Sequence, residues 1–361
     1  VEKLLITPLN AWHKAHGAKM VPFAGWEMPV QYSGILAEHQ HCRTKACIFD
    51  ICHMGEFSLK GPGSKDALAK AVTQNLETLA PGKCRYGFLL NPAGGVMDDL
   101  IVYRVAEDEF MLVVNGACVE TDFAAIKSRL PEALSFTDIS EQTAKIDLQG
   151  PKSFEVLTRA LPGDWTKLGY FSFVKAAFEG VDIIVSRTGY TGELGYEFYL
   201  PADKAQALWE KLAADPEVIP AGLGARDTLR LEMGYPLYGQ DLDTEHTPTE
   251  AGYAGMLTSA ADYVGKAHVA DVREKLVALS IEGRRSARHY DKVCLPGGEE
   301  VGMVTSGSFS PTLGHSVALA YVKADAADAA EFVVKAAKVD LPARKVDLPF
   351  YAGGTARTKL S

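Results

Sequence analysis

The stretch Asn91-Pro92-Ala93-Gly94-Gly95-Val96-Met97-Asp98-Asp99-Leu100-Ile101-Val102-Tyr103, with the run Phe110-Met111-Leu112-Val113-Val114 that follows, decides the fold class. Gly94-Gly95 supplies a tight turn, and residues 96–105 read as a strand. Glu107-Asp108-Glu109 reads as a hairpin turn into the second β-rich run, so the two strands pair with no crossover helix. Working outward, Phe57-Ser58-Leu59 follows a glycine as a short strand. Residues 181–186 and 196–200 flank a Gly-rich connection as a second antiparallel pair. Beyond about residue 275, residues 276–281, 300–304, 317–322 and 332–334 read as strands of a separate C-terminal β module. Helical spacing returns there only in the Ala-rich stretch 324–330. Locally paired strands with interspersed helices predict α+β rather than a doubly wound sheet.

Four apolar stripes read as core faces of modest helices. Ser64 N-caps the first, with Ala67, Leu68, Ala71, Val72 and Leu76. Val119, Phe123, Ile126 and Leu130 make the second. Pro151 opens the third, with Phe154, Leu157 and Leu161, and Ala202, Ala205, Leu208, Trp209 and Leu212 make the fourth. A chain of 361 residues, 47% apolar and 23% charged, predicts two or three packed domains. A net charge of −9 argues against a broad basic surface for nucleic acid, and no apolar run is long enough to span a membrane. Val1-Glu2-Lys3-Leu4-Leu5 carries no signal-peptide or transit pattern. Cys42, Cys47 and Cys52 fall at five-residue steps, wider than common zinc spacings. With Cys84, Cys118 and Cys294 they read as reduced thiols of an intracellular protein.

Adjacent strand residues point to opposite faces, so Asp98 and Asp99 cannot serve one pocket. Asp99 shares a face with Met97, Ile101 and Tyr103, and Asp98 shares one with Val96, Leu100 and Val102. At least one carboxylate therefore sits beside buried surface, where function is to be sought; the alternative is that both cap the turn in solvent. In Arg187-Thr188-Gly189-Tyr190-Thr191-Gly192-Glu193-Leu194-Gly195-Tyr196-Glu197, the glycines permit close approach and the tyrosines stack. This connection is either a wrap for a flat aromatic ligand or an ordinary hairpin. Glu197 faces with Tyr199, away from Tyr196 and Phe198. Arg226 and Arg230 share a helix face, suited to carboxylate ligands or to an internal ion-pair lattice. Thr305 to Gly314 reads as a Ser/Gly/Pro loop between strands. His53 beside Cys52 reads as structural, His39 and His41 complete no ligand set, and no metal is expected.

Together these segments resemble the aminomethyltransferase family of the glycine cleavage system. The opening 17–29 (GAKMVPFAGWEMP) and Phe49-Asp50-Ile51-Cys52-His53-Met54-Gly55-Glu56 carry the likeness, with Cys52 where Ser is usual. So do Gly94 to Leu100, Thr188 to Glu193, Gly222 to Asp227 and Thr305-Ser306-Gly307, in the family order. The resemblance implies a three-lobed fold with mainly antiparallel sheets: 1–55 with 142–255, an interleaved 56–141, and a C-terminal β-barrel or jelly-roll module over 276–361. It implies tetrahydrofolate as co-substrate, no metal, and a lipoyl-bearing carrier, the H protein, as partner. The reaction implied releases ammonia and passes a methylene carbon to tetrahydrofolate. Asp99 takes the catalytic role, Glu197 meets the pterin donors, and Met54, Tyr86, Val114, Asn115 and Tyr190 line the pocket. Arg226 matches a ligand-contacting Arg suited to the anionic glutamate tail. The location implied is cytoplasmic, or the mitochondrial matrix if a transit segment has been removed. A folate-dependent demethylase of the same fold, or a non-catalytic folate-binding scaffold, is the alternative reading. In the iron–sulfur maintenance relatives a Lys-Gly-Cys-Tyr motif is expected, which Gly82-Lys83-Cys84-Arg85-Tyr86 does not match.

Overall fold

The computed structural model describes residues 3–360. Val1, Glu2 and Ser361, the ends of the expected first and third lobes, lie outside the described residues, as does the start of the stretch read for a targeting pattern. Two sheets and a closed barrel dominate. The first sheet runs Phe173–Phe178, Val181–Ser186, Gly195–Pro201, Thr143–Gln149, Ala46–Asp50, Val218–Pro220. Its edge strand Val218–Pro220 pairs parallel to Ala46–Asp50, and its other neighbours pair antiparallel. The second sheet, Lys83–Leu90, Val96–Ala106, Glu109–Val114, Gly55–Lys60, Ser135–Asp138, is antiparallel throughout. The α+β architecture with mainly antiparallel sheets is thus as the sequence implies.

Strand alternation stacks the two sheets between two layers of helices. In Thr143–Gln149, Ala144, Ile146 and Leu148 are fully buried against the helices Ser153–Ala160 and Ala205–Ala213, around Leu157, Leu208 and Trp209. In the second sheet Phe57, Leu59, Leu100, Val102, Leu112 and Val114 pack under Ser64–Ala71 and Val119–Arg129. The remaining faces meet each other: Tyr103, Met111 and Val113 of the second sheet touch Phe173 and Tyr199 of the first. Between them lies a polar layer of Lys145, Asp147, Gln149, Ser186 and Glu197, all buried.

The C-terminal module is a closed barrel, Glu274–Ile281, Ser316–Lys323, Glu300–Phe309, Lys292–Cys294, Glu331–Ala336, Val339–Val346. Its interior is filled by small and branched residues such as Val277, Leu279, Val304, Ala318, Ala320 and Val334, with Phe332. Two expectations fail here. Residues 324–330 form turns, not a helix: the short corner between two barrel strands tucks Ala326 and Ala327 into the barrel core without room for a helix. Residues 305–309 belong to the strand Glu300–Phe309, and the loop begins only at Ser310.

Helix ends also differ from expectation. Ser64 is the first helical residue, preceded by Gly63 at φ 81, and its hydroxyl caps nothing. That helix stops at Ala71, so Val72 and Leu76 reach the core from extended and irregular backbone. Pro151 lies in the turn before Ser153–Ala160 rather than in its first turn, and residues 202–204 form a 3₁₀ turn leading into Ala205–Ala213. No helix among the described residues is long and apolar enough to cross a membrane.

Candidate active site

Asp99 lies near the start of Val96–Ala106, on the face turned toward the first sheet. In the antiparallel register Tyr86 stands opposite Ile101, a diagonal step from Asp99. Its hydroxyl donates to Asp99 Oδ2 at 3.0 Å, and Asn115 Nδ2 donates to Asp99 Oδ1 at 2.9 Å. Asn115 stands where Glu109–Val114 ends, beside the start of the Asp99 strand. Asp98, on the other face and fully buried, accepts from the Asn115 amide at 3.0 Å and from its Nδ2 at 2.8 Å. One asparagine thus holds both carboxylates. Burial, then the Asp98 charge, pushes the Asp99 carboxyl up to about 7, while the bonds from Tyr86 and Asn115 work the other way. Asp99 therefore stands ready to exchange a proton near neutrality. It stays partly exposed, beside the rings of Tyr86, Tyr190 and Tyr253.

The polar layer forms the second half. Lys145 lies 3.0 Å from Glu197 Oε1 and 3.3 Å from the Met54 sulfur. Thr188 donates to Glu197 Oε2, with Tyr103 and Tyr199 at 3.5 and 3.4 Å. Burial alone would raise Glu197, but Lys145, the Thr188 hydrogen bond and the Arg226 charge outweigh it and hold its carboxyl below the usual range. Glu197 stands directly opposite Asp147 in the strand register. Burial and Glu197 push Asp147 up to about 7 despite Arg226 at 2.7 Å. Arg226 also lies over the Tyr190 ring, 4.8 Å from its centre, and so joins the two halves. His53 is buried beside this layer, with Nδ1 unpartnered; burial, helped by Arg226 and Lys145, lowers it to about 4.

Met54, Tyr86, Asp99, Asn115, Tyr190, Glu197 and Arg226 are thus brought into one region. Val114 stands apart, with its side chain fully buried in the core of the second sheet. Arg226 pairs with Asp147 at the edge of the polar layer and keeps 13% of its side chain exposed. Sequence reasoning missed Lys145 and Asp147. Their signal was the alternation in Thr143-Ala144-Lys145-Ile146-Asp147-Leu148-Gln149, whose charged face must meet something other than the helices. Arg230 proves to be lattice: it binds Asp227, Asp241 and Ser306, and the Thr305 and Ser306 hydroxyls bind Asp241.

Facing antiparallel sheets with a paired acid at one end of a buried ion layer, and a barrel closing the chain, define a three-lobed enzyme-like site for a small molecule. The chain belongs to the glycine cleavage T-protein family. The family's N-terminal domain matches residues 9–261, and its C-terminal barrel domain matches residues 274–352. A Rubrobacter xylanophilus protein named aminomethyltransferase is 44% identical over 353 residues, covering 96% of this chain and 94% of its own. Its Thermotoga maritima counterpart is 43% identical, covering 97% and 99%. The crystal structure of the glycine cleavage system aminomethyltransferase T from Bartonella henselae superposes with a TM-score of 0.92 at 32% identity, covering 99% of this chain and all of that one.

Proposed function

We propose that this protein is a tetrahydrofolate-dependent aminomethyltransferase. It releases ammonia from an S-aminomethyl-dihydrolipoyl carrier, the H protein, and yields 5,10-methylenetetrahydrofolate. The observation that carries the reading is Asp99: partly exposed, fixed at both oxygens, raised to about 7, and set among tyrosines in the region shared with a buried anionic Glu197. Tetrahydrofolate, when bound, supplies the amine nitrogens that take up the one-carbon unit.

The residues present fit such a ligand. A carboxylate offers about four lone-pair sites. Glu197 Oε1 takes one bond, from Lys145, and each Asp99 oxygen takes one. Glu197 Oε2 is already taken by Thr188, Tyr103 and Tyr199, so Glu197 retains one acceptor, at Oε1, for a pterin N–H, and Asp99 retains one at each oxygen for an amine. Tyr190, braced by Arg226 and stacked near Tyr235 at 5.9 Å, offers an aromatic face. Tyr86 and Asn115 fix the plane of the Asp99 carboxylate, so that a proton held or released at Oδ2 moves along a set direction. The aromatic surround limits water, which would otherwise hydrolyse an activated methylene. All six cysteines are buried and free, in keeping with a reducing compartment such as the cytoplasm.

The test is reconstitution. Purified protein, tetrahydrofolate and aminomethylated carrier should give ammonia and 5,10-methylenetetrahydrofolate in equal amounts. Folate binding without ammonia release would leave a scaffold. Turnover of a methylated amine in place of the carrier would make the protein a demethylase.

A further inference from the structure

Behind Asp99, on the helix side of the second sheet, Asp98, Cys118 and Asp122 bring side-chain oxygens and sulfur within 4.8 Å of one another. Asp98 and Asp122 are both fully buried. Asp98 accepts two N–H bonds from Asn115, whereas neither oxygen of Asp122 receives any donor. The nearby cation makes no bond to either acid: the Arg129 guanidinium donates to the carbonyls of Ala71 and Leu90 and to the Met97 sulfur. Two unscreened carboxylates at this separation cannot both ionise in a dry interior. The one without donors keeps the proton.

We infer that Asp122 is a neutral acid that donates its proton to Asp98, and that this shared-proton pair holds Asp98 anionic against Asn115 and so sets the protonation of Asp99. Asp122 is thus a positioning residue, two steps from the reacting carboxylate, and the assignment rests on the role proposed for Asp99. Burial, then the charge and hydrogen bond of Asp98 and the Asp99 charge, pushes Asp122 up to about 10, and Arg129 alone opposes. Burial raises the Asp98 carboxyl too, but there hydrogen bonds from Asp122, Asn115 and Cys118 all work the other way. The other groups around the pair leave this order intact. The Cys118 thiol is pushed up by burial and by the three carboxylates, and burial, then Cys118, Asp98, Asp122 and Asp243, raises the Tyr238 phenol, so both stay neutral. Tyr86, Tyr190 and Tyr253, which face Asp99 from the other side, are likewise raised by burial first.

Carboxyl NMR of ¹³C-aspartate-labelled protein, without folate or carrier, tests this independently of turnover. At about pH 8.5 the wild type should show one protonated aspartate, absent in Asp122→Asn. Asp99, identified through Asp99→Asn, should titrate unchanged in Asp122→Asn, whose amide still donates to Asp98. In Asp122→Leu, Asp98 takes up the proton, its charge is lost, and the Asp99 titration should fall by about one unit. An unmoved Asp99 titration in the leucine variant would overturn the inference, as would a protonated signal persisting in Asp122→Asn or a stoichiometric metal ion in purified wild type. Should the leucine variant not fold, the asparagine comparison decides alone. Because the resting protein is read, failed ammonia release would count against the proposed function and leave this result standing.

Discussion

Asp99 and Asp98 are neighbours in sequence with opposite environments, and strand geometry alone separates them. Asp99→Asn keeps the size and the bond from Tyr86 but removes the titrating group. Turnover should fall roughly 10²-fold or more, while folate affinity changes far less. If the carboxylate is the working form, wild-type kcat/KM should decline as pH drops through about 7, and that limb should vanish in Asp99→Asn. Ammonia release across pH, at saturating folate, checks both. Glu197→Gln is a harsher change than its apparent surplus of donors implies. It should weaken folate binding by about 1–3 kcal/mol by calorimetry, for a charge-assisted bond poorly made. It also strands Lys145, 2% exposed, so the melting temperature should drop as well. Unchanged affinity beside a lowered melting temperature would make Glu197 purely structural.

At the scale of elements, the hairpin around Asp99 was legible because turn and strand signals coincide there: the strands Val96–Ala106 and Glu109–Val114 meet across two residues. The second pair, Val181–Ser186 with Gly195–Pro201, was legible for the same reason. What escaped depends on partners distant in sequence. Ala46–Asp50 is buried at every position and so shows no alternation to read. Lys145 and Asp147 acquire meaning only beside Glu197 and Arg226. Residues 324–330 mislead because alanine favours helix locally, and the barrel corner overrides that preference. The glycines of the motifs likewise gain their reason from packing. A Cβ on Gly222 would lie 2.3 Å from the Val30 carbonyl carbon, where Leu223–Glu232 begins against Trp26–Gln31. Gly222→Ala should therefore cost about 1–3 kcal/mol in urea unfolding. Gly17→Ala meets no neighbouring atom but carries φ 77, so its smaller loss would come from backbone strain alone.

For the whole molecule, one buried acid ties the lobes together. Glu232, at the end of Leu223–Glu232, binds Arg43 at 2.8 Å and lies 3.2 Å from His39 on the helix Ile35–Thr44. It also accepts from Ser310 and Thr312 at the barrel turn. Burial would raise its carboxyl, but His39, Ser310 and Arg43 outweigh burial and bring it down to about 2. A group depressed in the folded state adds stability above its unfolded value and loses it as pH falls toward the folded one. The contribution should therefore be full above about pH 4.5 and vanish progressively down to about pH 2. Over that window the contact between barrel and body should loosen before the barrel core does, since Phe332, Leu279 and Val334 contain nothing that titrates. Hydrogen exchange during acid titration should show protection lost first in residues 223–232 and 310–312. Glu232→Gln should be less stable than wild type at neutral pH and show a flatter acid profile. A variant that kept the full acid-dependent loss would place the titrating tie elsewhere, and uniform loss of protection would mean that barrel and body unfold as one unit.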